Sequence, residues 1–170
     1  MTDDLKQAFT LRISQANKSQ MVVILYEMLL AYVQDAEVAI NAIHEKNEKK
    51  QSIGDDKIAL KEAIRKARGC NCELMESLDL EYEIAGRLLS LYTYVNRELI
   101  MSEIRRSVDN IEHVKRVIGP LLQAYGEVAK SDTDLPIMTN TQSVVAGLTY
   151  GPTSVSETVT GQESNRGFLV

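Results

Sequence analysis

The chain has 170 residues, of which 44% are hydrophobic and 25% charged, with a formal net charge of −5. That is enough for one core, and residues 1–130 carry 18 basic and 20 acidic side chains with no concentrated basic stripe, which argues against a nucleic-acid partner. Cys70 and Cys72 stand too close together to staple distant segments and lack a second pair to complete a zinc site, so a reducing, cytoplasmic setting is expected.

The first stretch, 5–14, contains Leu5, Ala8, Phe9, Leu11 and Ile13, enough for a short helix or an extended arm laid on a larger body. Asp3 and Asp4 occupy the place where a secretory leader would be positive. The longest apolar run, 21–33, is 13 residues with Glu27 inside it, short of the roughly 20 residues a membrane span needs. No membrane insertion is expected.

From 21 to 43, Met21, Leu25, Met28, Tyr32, Ala36, Ala39 and Ile43 recur at helical spacing. A second stripe, Val22, Tyr26, Leu29, Val33 and Ile40, lies about 100° further round, so this long helix is apolar beyond one face and is either central or in contact with a partner. Asn17 is placed to cap it, with Gln20 reaching back and Ala16 packing on Met21. The charged stretch 44–56 is expected as a loop. Leu60, Ile64, Ala67, Leu74 and Leu78 then mark a second helix to about 80, with Gly69 as a point of looseness or close contact. A third helix, 82–105, follows on Ile84, Leu88, Tyr92, Val95 and Leu99. A fourth, 108–129, follows on Ile111, Val114, Ile118, Leu121, Tyr125 and Val128, with Ser107 as its cap and a bend or break at Gly119-Pro120.

These four stripes predict an all-α fold, an antiparallel four-helix bundle over 1–130 with a short N-terminal helix or arm. Residues 131–170 are set apart: 12 of these 40 are Ser or Thr, four are Gly and two are Pro. An irregular, flexible tail is the default for that composition. Two runs within it, 144–150 and 167–170, are apolar enough to dock on the bundle or in a neighbour's groove.

The residues supply no catalytic constellation. A di-iron bundle needs Glu-x-x-His pairs, yet Asn41 and Asn110 stand three positions before His44 and His113, which read as lone surface histidines. Cys70 and Cys72 diverge by about 200° on a helix. Phosphate loops, nucleophile elbows and zinc-binding HExxH pairs are all missing. No enzyme activity, cofactor or metal is expected, and the carboxylates are assigned to outer faces. Tyr92 and Tyr94, two apart on one helix, cannot both face a core, so one looks outward.

Leu91-Tyr92-Thr93-Tyr94-Val95-Asn96-Arg97-Glu98-Leu99 resembles the L-Y-D-Y-M-x-R-R-L motif of the flagellar secretion chaperones called FliS. The segments 19–26, 81–89 and 104–114 resemble the corresponding parts of that family in the same order, covering roughly residues 5–130. Thr93, Val95 and Glu98 depart from the motif, as do Asn17-Lys18, where the family has Ser-Pro, and Ser102-Glu103, where it has Ala-Asn.

The resemblance implies a cytoplasmic chaperone that binds the C-terminal segment of flagellin, prevents premature polymerisation and supports delivery to the export apparatus. Components of the export gate would be further partners, and the free protein a monomer or weak dimer. Carried over by position, the partner-binding residues are Tyr26, Leu91, Tyr92, Tyr94, Val95, Asn96, Arg97 and Leu99, and the N-terminal arm covers the groove when no client is present. The drifted polar positions leave open a helical-bundle adaptor or regulator for a different protein partner.

Overall fold

The computed structural model describes residues 2–138, and its regular elements are five α-helices: α1 (Asp3–Gln15), α2 (Lys18–Glu48), α3 (Gly54–Glu76), α4 (Glu83–Arg105) and α5 (Val108–Ser131). The boundary between α1 and α2 follows from local chemistry. The Gln20 amide donates to Asn17 Oδ1 at 2.8 Å, and the Asn17 amide donates to Gln20 Oε1 at 3.0 Å, the reciprocal box expected from the sequence. Ala16 is buried with Phe9 and Ile24, and Met21 packs against them.

Links of a few residues force α2 to α5 into alternating directions, and side-chain pairs confirm it. Tyr26 of α2 meets Tyr125 of α5, while Glu37 further along α2 meets Lys115 further back along α5. Between α2 and α3, Lys46 pairs with Asp56, and the Lys66 ammonium lies 5.8 Å from the Tyr32 ring centroid. Between α3 and α4, Arg68 Nε donates to Asn96 Oδ1 at 2.8 Å and Asn71 Nδ2 to the Tyr92 carbonyl at 3.0 Å. The helices close a square in which α2 and α4 each touch α3 and α5 and stand diagonally opposite one another. The α1 helix packs on α2 alone.

The core is built from Tyr26, Leu29, Val33 and Ile40 of α2, Leu60, Ile64 and Leu74 of α3, Leu88, Tyr92, Val95 and Leu99 of α4, and Ile111, Val114 and Ile118 of α5. On the first half of α2 the second apolar stripe therefore faces the centre, and further along Ala36, Ala39 and Ile43 of the first stripe join the same core. Met21, Leu25, Met28 and Tyr32 of the other stripe are half-buried, and α1 explains part of this by laying Phe9 where Met21 and Met28 project.

Several expectations need correction. The stretch 44–56 is not all loop: α2 continues to Glu48, and Asp55 and Asp56 sit in the first turn of α3, where carboxylates favour the positive helix end. Ile84 is 66% exposed and does not belong to the core stripe. Ser107 precedes α5, but its side chain makes no capping hydrogen bond. The helix does not break at Gly119-Pro120: α5 is continuous through Pro120. Pro120 and Arg116, whose carbonyl loses its partner there, both lie on the exposed side of the helix, where solvent has access to that group. Beyond 138, the Ser/Thr-rich stretch and its apolar runs at 144–150 and 167–170 lie outside the described residues.

Candidate functional site

The eight residues singled out by the sequence divide by helical phase. Tyr26, Tyr92, Val95 and Leu99 point into the centre and are buried, whereas Leu91 and Arg97 are exposed and Tyr94 and Asn96 half-buried. The outward tyrosine is Tyr94.

The buried four connect the diagonal helices. Tyr26 of α2 and Tyr92 of α4 hydrogen-bond through their hydroxyls, with ring centroids 6.3 Å apart, and Tyr125 adds a third ring at 5.6 Å from Tyr26. Burial raises both phenolic pKa values above the usual range, so neither ionises near neutrality. Asn71 Oδ1 is buried with no partner, while the same amide's nitrogen holds the Tyr92 carbonyl.

Outside this, the Arg97 guanidinium lies 5.1 Å from the Tyr94 ring centroid, within cation–π range. Leu91 is 39% exposed although apolar, and Ile84, two turns earlier on the same stripe, is open to solvent. Tyr82 and Leu80, on the approach to α4, extend this apolar surface at that end of the bundle. Ile84 was legible as belonging with Leu91 from its seven-residue spacing; assigning it to the core concealed that.

Sequence reasoning missed one polar cluster. Glu98 is 6% exposed, not on an outer face. Its Oε2 accepts from Asn110 Nδ2 at 2.7 Å and lies 3.0 Å from His113 Nδ1, while its Oε1 accepts from Arg97 at 3.3 Å. Burial pushes this carboxyl up, but the Asn110, His113 and Arg97 hydrogen bonds outweigh it and leave the pKa below the ordinary value. His113 is thus tied to the α4–α5 seam, unlike the exposed His44. The thiols divide as their angular spacing requires: Cys70 is buried, its pKa pushed up to about 11, and Cys72 is exposed.

A groove of about 410 Å³ runs between α2 and α3, where Ala39, Ala42, Ala59 and Ala63 leave room and Tyr32 and Val38 supply larger apolar walls. Lys6 of α1 reaches its rim. Among the described residues, no group of three or more His, Cys, Asp or Glu side chains is placed to hold a metal ion, and no helix is long and apolar enough to cross a membrane.

The family model described as flagellar protein FliS matches residues 1–132. No curated protein matches the chain.

Proposed function

The chain belongs to the FliS family of flagellar chaperones, and from that premise we propose that it binds the C-terminal segment of flagellin in the cytoplasm. Binding there would keep the segment from pairing with other flagellin subunits until export. The observation that carries this reading is the apolar stripe on α4, where Ile84 and Leu91 stand open beside Tyr94 and its Arg97 cover. An amphipathic helix needs such a surface to bury its own apolar face. Leu91, Tyr94 and Arg97 are assigned client contact, Asn96 supports the stripe from α3 through Arg68, and Tyr26, Tyr92, Val95 and Leu99 hold the helices in place.

The α1 helix is assigned the role of a removable cover for a second client surface: it rests on α2, diagonally opposite the α4 stripe, and brings Lys6 to the rim of the α2–α3 groove, so it shields that groove and not the α4 contacts. Calorimetric titration with flagellin tests the whole reading. Tight binding to intact flagellin that vanishes when its C-terminal segment is removed, and weakens in Leu91→Asp and Arg97→Glu, supports it. Absence of binding to intact flagellin would favour an adaptor for another protein. Glu98 is unsuitable for that test because substituting it disturbs the α4–α5 seam directly.

A further inference from the structure

After α5 the chain does not leave the bundle. The Asn17 side-chain Nδ2 donates to the Asp132 and Asp134 carbonyls, both at 3.4 Å, Ser19 hydrogen-bonds the Asp132 carboxylate, and the Ile137 backbone amide donates to the Ala16 carbonyl at 3.0 Å. Residues 132–138 therefore cross the start of α2 and deliver the following chain to the α1–α2 junction.

Two adjoining hollows open there, of about 330 and 370 Å³, sharing Arg12 and Gln20 and running from under α1 to α5. Their floor is Val23 and Ile24, and on the α5 side Gly126 and Ala129 leave space that larger side chains would fill. The charged groups at the trough are already engaged, Arg12 with Glu27, Lys130 with Glu127 and the Asp132 carboxylate with Ser19, so an uncharged occupant suits it.

We propose that residues 144–150 of this chain, which include Val144, Val145, Leu148 and Tyr150, occupy the trough between α1 and α5. The chain continues for 32 residues past Met138, and this run carries no charge. Five residues, 139–143, separate Met138 from it, a reach of up to about 16–18 Å from an exit already at the trough's edge. Charged residues begin again only at Glu157, beyond the run. The seat gives α1 a second support beside α2, independent of whether flagellin is the client.

The chain has no tryptophan, so one introduced residue reports its own surroundings. In the full-length protein, Leu148→Trp, and Tyr150→Trp as a second reporter, should give blue-shifted emission shielded from acrylamide at all protein concentrations. Adding Gly126→Arg, whose side chain projects into open space, or Ala129→Arg should shift the emission to the red and restore quenching while helicity is kept. Emission typical of exposed tryptophan in both reporters would overturn the proposal, as would shielding unaffected by either arginine. Shielding that appears only on concentration would place the segment on a second copy instead and equally overturn it.

Discussion

Glu98 stands where the family motif carries a second arginine, and its surroundings give the exchange a physical consequence. Removing the carboxylate in Glu98→Ala leaves Asn110 and His113 without their shared acceptor inside the α4–α5 seam, at a cost of about 2–3 kcal/mol in denaturant unfolding. Glu98→Gln keeps one acceptor and should lose less. Because the folded carboxyl titrates below its unfolded value, its contribution is complete above about pH 4.5 and is lost as pH falls through the depressed folded pKa. The stability difference between the wild type and Glu98→Gln should therefore shrink on acidification, read by urea titrations at successive pH values. The tyrosine pair gives a second case. Tyr26→Phe or Tyr92→Phe alone strands a buried hydroxyl, costing about 1–3 kcal/mol, whereas the double substitution strands none and should fall closer to the wild type than the sum of the singles.

Helices reveal themselves in this sequence better than their phases do. The starts of α2, α4 and α5 were readable to within a residue, that of α2 because the Asn17–Gln20 box coincides with the period, and those of α4 and α5 from the period alone, since neither has a side-chain cap. The inward face of the first half of α2 was not readable, since two stripes compete there and one of them is partly covered by the neighbouring α1. Glu98 was hidden for a related reason: a charge is expected outside, and only the arrival of Asn110 and His113 from α5 makes its burial tolerable. Two backbone positions invite opposite substitutions. Gly69 lies inside α3 with nothing within 4 Å of an added Cβ, so Gly69→Ala should stabilise by about 1 kcal/mol. Arg106 ends α4 with φ 51°, a left-handed conformation that glycine takes without penalty, and Arg106→Gly should raise stability by about 1 kcal/mol. Thermal unfolding of each variant checks both signs.

At the scale of the whole molecule, the square of α2 to α5 has one shared core, while α1 has a separate small one formed by Phe9, Ala16 and Ile24. The two need not open together. A helix resting on a single neighbour can detach at a fraction of the global unfolding free energy. Phe9→Ala removes the α1 side chain that anchors it, and in a fully coupled core that change would cost about 3–5 kcal/mol. Here the penalty is bounded by the docking energy of α1, so global unfolding should move little while amide exchange along α1 accelerates. If α1 covers client surface, the same variant binds flagellin more tightly, because the free energy of displacing the helix has already been removed. Leu91→Asp acts with the opposite sign, weakening binding without releasing α1. Titrating both variants with flagellin separates the roles: tighter binding by Phe9→Ala assigns α1 as a cover, unchanged binding makes it a structural appendage, and weaker binding makes it part of the client's seat.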